Sequence, residues 1–171
     1  MIVKGIKENK RGMLLASEVI KIVISVVVIV FLIYFLTLLY FSKINAEKLK
    51  EAKAILIESP GSIKNIIDSL QKNAIPEGKK EKALVNPESW YLFSFTKGKR
   101  PNSCVNKNCL CICDNVLVNL WDRQIKECDK NGACIIVENL DPKTDLEVKI
   151  KGKLTRILIK KENNLIKIEE I

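Results

Sequence analysis

Six cysteines lie between residues 104 and 134, and three of them form the run Cys109-Leu110-Cys111-Ile112-Cys113. Cysteine alternating with apolar residues reads as a strand, in which residues two apart share a face. All three sulfurs then point the same way. Disulfide geometry does not suit a bond from i to i+2 along a strand, so each needs a partner elsewhere. The chain supplies three others, Cys104, Cys128 and Cys134. One-to-one pairing cuts the fifteen possible connectivities of six cysteines to six. Of these the nested set is the expectation: Cys104–Cys109 closing a short loop, Cys113–Cys128 an inner one and Cys111–Cys134 an outer one. Each bond stabilises a small domain by about 2–4 kcal/mol.

Other chemistry for this cluster ranks lower. No C-x-x-C is present, which argues against a thioredoxin-like site. Zinc favours ligands at wider gaps, often with histidine, and the chain has no histidine. The C-x4-C-x-C-x-C spacing lacks the usual iron–sulfur intervals. Disulfides are therefore the first reading, a metal the second and redox catalysis the third. Without histidine the commonest general base is missing, and no glycine-rich phosphate loop occurs. No catalytic, cofactor-binding or metal-binding residue is expected.

Disulfides need an oxidising compartment, and the chain carries a means of reaching one. Residues 22–41 read IVISVVVIVFLIYFLTLLYF, with no charge, proline or glycine. As a helix they extend about 30 Å, the thickness of a bilayer's hydrocarbon core. A buried core helix is the alternative, but only Ser25, Thr37 and two tyrosines interrupt the apolar surface. Ser and Thr can bond back to the preceding turn and cost little in lipid. A cleaved secretory signal would have a shorter core and an A-x-A-like site, which SKINAEK does not offer. Lys4, Lys7, Lys10 and Arg11 precede the span against Glu8 alone, but lysines also follow it. Charge alone does not orient the helix. The short leader and the cysteines imply a cytoplasmic N-terminus and an extracytoplasmic C-terminal domain.

The junction reads KENKRG followed by MLLASEVIKIVISVVV. A short basic leader ending in Gly12, an apolar helix beginning at once and an early acid, Glu18, resemble the class III signal of type IV pilins and archaeal pilin-like proteins. The resemblance spans about residues 7–58. It implies peptidase cleavage between Gly12 and Met13, and a role for Glu18, here the sixth mature residue, in registering neighbouring helices in a filament. Glu18 also has a simpler reading, because Lys21 stands three residues on and can pair with it at the membrane surface.

The stretch SKINAEKLKEAKAILIE has no helix breaker before Pro60 and suits helix by composition. One helix is expected over residues 13–58, apolar all round at first and then amphipathic, with Leu49, Ala52 and Leu56 on one stripe. Ser59-Pro60-Gly61 end it. Ser62 then caps a short helix with Ile63, Ile66, Ile67 and Leu70 on one face. Residues 74–82 read as a solvated loop. In WYLFSF, Tyr91, Phe93 and Phe95 face one way and Trp90 and Leu92 the other, as in a strand buried on both faces. Lys130-Asn131-Gly132 offers turn chemistry before a returning strand in ACIIV. Leu146, Val148 and Ile150 alternate with charge, and Asn163-Asn164 suit a tight hairpin between two further strands.

The fold class is α+β: a long N-terminal transmembrane and stalk helix carrying a small disulfide-stapled antiparallel β head with one short amphipathic helix. The domains are a basic cytoplasmic leader (1–12), a transmembrane helix continuing as stalk (13–58) and an exported head (59–171). The net charge of +9 comes from lysines spread along the chain, so no nucleic-acid partner is expected. The expected partners are the lipid bilayer and, through the N-terminal helix, other pilin-like subunits. The expected function is a non-enzymatic, membrane-anchored cell-surface structural or interaction protein. The alternatives are a non-assembling single-pass protein with a partner-binding ectodomain, and a small extracytoplasmic metal or redox protein.

Overall fold

The computed structural model describes residues 10–75, 78–115, 121–152 and 155–171. Most of the leader (1–9), residues 76–77 of the expected loop and residues 153–154 before the last hairpin lie outside the described residues. The chain divides into two units, residues 1–44 and 45–171.

Helix α1 (Lys10–Lys53) is continuous for 44 residues. Residues 18–43 are exposed throughout, and the helix is long and apolar enough to cross a membrane. Its place near the N-terminus also suits a signal sequence. Two hydroxyls in this stretch are satisfied within the helix: Ser25 Oγ donates to Lys21 O at 2.8 Å and Thr37 Oγ1 to Tyr34 O at 2.7 Å. Glu18 and Lys21 are both exposed and form no ion pair among the described residues. The simpler expectation for Glu18 is thus not met.

The second unit begins inside α1, and Leu49, Ala52 and Leu56 pack into its core. After Lys53 the helix widens into one π-helical turn (Ala54–Glu58), closed by Ser59 N–H donating to Ala54 O at 3.0 Å. Helix α2 (Ile63–Gln71) follows. Its cap, Ser62, is fully buried, accepts from Asn65 N–H at 3.3 Å and donates to Ile57 O at 3.2 Å. Asn65 Nδ2 donates back to Ser59 O at 2.9 Å, so the turn between the two helices is tied at both ends. Ile63, Ile66, Ile67 and Leu70 are buried, each contributing about 1.5–3 kcal/mol.

Two antiparallel sheets complete the unit. Strands β1 (Lys79–Leu84), β6 (Thr155–Glu162) and β7 (Leu165–Glu170) form one in the order β1-β6-β7. Strands β2 (Tyr91–Phe95), β3 (Cys109–Cys113), β4 (Ala133–Ile136) and β5 (Glu147–Lys149) form the other in the order β4-β3-β2-β5. Asn163 and Asn164, with φ of 49° and 64°, make the two-residue turn of the β6–β7 hairpin, as their side chains permit. The helices lie against one face of each sheet, and Leu84, Leu92, Ile112, Ile157 and Ile168 join them in one core.

Two elements differ from expectation. Lys79–Leu84 is a strand rather than loop, pairing with β6 from Lys79↔Lys160 to Leu84↔Thr155. It is a sheet edge, where lysines block further pairing, and all but Leu84 stay out of the buried core. Residues Trp121–Asn131 form a second head helix, α3. Lys130 and Asn131 therefore close a helix rather than occupy a hairpin turn.

Ser62→Ala removes both the cap and the bond to Ile57. It is expected to lower stability by about 1 kcal/mol, read as a fall in the urea midpoint of the detergent-solubilised protein at unchanged m-value.

Candidate functional site

The described residues with reactive atoms gathered in one place are the six cysteines. On β3, Leu110 and Ile112 enter the main core, while Cys109, Cys111 and Cys113 enter a second core on the other face of the sheet. The disulfides are Cys104–Cys109, Cys111–Cys134 and Cys113–Cys128, the nested set. Each ties β3 to a different element: Cys104 in a short 3-10 turn (Asn102–Cys104), Cys134 on β4 and Cys128 on α3.

The sheet register accounts for the Cys111–Cys134 bond. Val137 N–H donates to Asn108 O at 2.9 Å, which fixes the alternation of bonded and non-bonded pairs along β3 and β4. Cys111 lies opposite Cys134, three steps along, at a non-hydrogen-bonded pair where strands approach most closely. Their Cα atoms are 4.1 Å apart.

An aromatic row covers the sulfurs. Tyr91, Phe93 and Phe95 on β2 lie opposite Cys113, Cys111 and Cys109 respectively, and all three pack in the sulfur core. Tyr91 and Phe93 stack at 5.8 Å, Phe93 and Phe95 tilt at 6.2 Å. Trp90 and Leu92 join the opposite core, so the expected split of this strand holds. The aromatic row is structural cover, with Phe93 and Phe95 both buried.

Helix α3 closes the site through Ile125 and Cys128. Gln124, buried on the same helix, donates from Nε2 to Asp114 O at 2.7 Å and lies 3.5 Å from the sulfurs of Cys113 and Cys128. Asp129 accepts from Ser103 N–H at 2.8 Å, holding the 3-10 turn against α3. Burial pulls its carboxyl upward, but hydrogen bonds from Ser103 and Asn102 outweigh that, so it titrates below its ordinary range. Gly132 permits the close approach beyond α3: a Cβ there would sit 2.6 Å from Cys128 O and 2.8 Å from Cys113 Cβ.

Sequence reasoning missed α3, Gln124, Asp129 and the packing role of Gly132. The available signal was Trp121, Ile125 and Cys128 at i, i+4 and i+7. The other candidate residues, Gly12, Met13 and Glu18, belong to the first unit, where α1 runs through the Gly12-Met13 junction. The sulfurs are all oxidised, so the cluster as it stands is a set of staples rather than a ligand set.

Gly132→Ala should destabilise the head by about 1–3 kcal/mol, the cost of overpacking, read by urea unfolding. Because the folded Asp129 carboxyl titrates low, its contribution is full above the unfolded value of about 3.9 and is lost as pH falls through the folded value. Wild type should thus exceed Asp129→Asn in unfolding midpoint at about pH 7, and the gap should narrow by about pH 3. No protein-family model, curated protein or solved structure matches the chain.

Proposed function

We propose that this chain is a non-enzymatic cell-surface protein of the pilin-like kind. Its N-terminal helix is held in lipid, or among the helices of neighbouring copies, and its disulfide-stapled head lies on the extracytoplasmic side. The observation that carries the reading is the change of surface within one helix. Residues 18–43 of α1 are exposed and overwhelmingly apolar, whereas Ala52 is fully buried in the head core, as is Leu56 just beyond. A surface this apolar and this long needs lipid or other helices around it. The head supports the same reading, since its three disulfides fit an oxidising exterior.

In this proposal the basic leader stays cytoplasmic until a peptidase removes it after Gly12. Met13 becomes the mature N-terminus, and Glu18 faces the next subunit's helix. The intact mass of protein purified from membranes should match a chain starting at Met13. A mass that retains Met1 or Ile2 overturns the pilin-like assignment and leaves a plain single-pass anchor.

A further inference from the structure

The six cysteines are unequally buried. Cys104, Cys109, Cys111 and Cys113 are fully buried and Cys128 is nearly so. Cys134 is only partly buried. It opens on a groove of about 310 Å3 lined also by Ile57, Lys64, Ser103, Ile135 and Ile136. Strand β4 is the edge of its sheet, so among the described residues no further strand closes that side. Lys64 lines the same groove, where its ammonium favours the charge of a thiolate, and Cys134 is the cysteine that lines it.

Behind Cys134 the two neighbouring disulfides touch. Cys111 Sγ lies 3.9 Å from Cys104 Sγ, and the sulfurs of Cys104, Cys111 and Cys134 all lie within 4.8 Å of one another. A thiolate released at Cys111 is therefore already at contact distance from a second disulfide. Such proximity replaces an encounter from solution with a step inside the protein.

We propose that Cys111–Cys134 is a site of attack by dithiols and that its reduction is relayed inward, so that the bond finally lost is Cys104–Cys109. One thiolate of the dithiol attacks Cys134 Sγ. The Cys111–Cys134 bond breaks, a mixed disulfide forms on Cys134, and Cys111 leaves as thiolate. The second thiol of the reagent resolves the mixed disulfide, frees Cys134 and closes the reagent into its own disulfide. The Cys111 thiolate attacks Cys104 Sγ, forms Cys104–Cys111 and expels Cys109. The dithiol loses two electrons and two protons, and the protein gains two thiols, at Cys109 and Cys134. The exchange joins the 3-10 turn to the middle of β3 and unfastens the edge strand β4.

The test treats the full-length protein in detergent with limiting dithiothreitol, quenches with iodoacetamide and maps the peptides without further reduction. Fragmentation of the peptide holding Cys109, Cys111 and Cys113 locates the label. In the first two-thiol product, Cys134 should be alkylated, Cys109 labelled several-fold more than Cys111, and Cys104 linked to Cys111. Label on Cys111 equal to or above that on Cys109, with Cys104–Cys109 retained, overturns the relay. Label appearing first on Cys113 and Cys128 overturns the assignment of Cys134 as the point of entry.

Discussion

Successive side chains of a β-strand leave on opposite sides, and β3 turns that rule into the partition of the whole head. Its leucine and isoleucine enter the main core with α2 and the end of α1. Its three cysteines enter the sulfur core with the aromatic row and α3. The strand is thus the shared wall of two interiors, and all five of its residues are buried. A slip of one residue in its pairing would send sulfurs into the hydrocarbon side and strand all three bonds without partners.

The two interiors cohere differently. The main core draws on both sheets and two helices and is held by apolar burial. The sulfur core is smaller, and its cover consists of pieces that are weak alone. Helix α3 has 11 residues, most of them polar, and a helix that short is marginal without tertiary support. Strand β4 has one neighbour and four residues. The 3-10 turn is a single turn. Each of these pieces receives one disulfide from β3. The bonds to β4 and α3 span separations of 23 and 15 residues, long enough to restrict the unfolded chain appreciably.

How much of this was legible depends on how each element announces its buried face. The alternation in β3, the two-sided Trp90–Phe95 run, the stripe through Leu49, Ala52 and Leu56, the Ser62 cap and the Asn163-Asn164 turn all state a periodicity or a backbone need in their own residues. Strand geometry and one-to-one counting left six pairings, because three sulfurs on one face exclude bonds among themselves; the nested one among them is the set observed. Strand β1 could not be read that way. KKEKAL contributes one side chain to the core, and its conformation comes from backbone pairing with β6. Helix α3 was hidden because it brings to the core Ile125 and a cysteine already assigned as a disulfide partner, while Lys130-Asn131-Gly132 imitates a turn. Asp129 and Gly132 act through the backbone of a distant turn and the thickness of a packed disulfide, neither of which leaves a local pattern.

Helix α1 shows the same logic along a single element. Nothing between Lys10 and Lys53 breaks it, so the backbone treats its two halves alike and only the side chains tell them apart. From Ile22 to Phe41 the apolar residues go all the way round, and Ser25 and Thr37 fold their hydroxyls onto the preceding turn, which lowers the cost of placing them in lipid. In the second half Lys48, Lys50 and Lys53 interrupt the apolar surface, and what remains is a stripe one head wide. A helix with the second pattern throughout would stay in water, and one with the first throughout could not pack Ala52 and Leu56 selectively against a sheet. The change of pattern, rather than any residue at the junction, is what assigns each half of the helix its own surroundings.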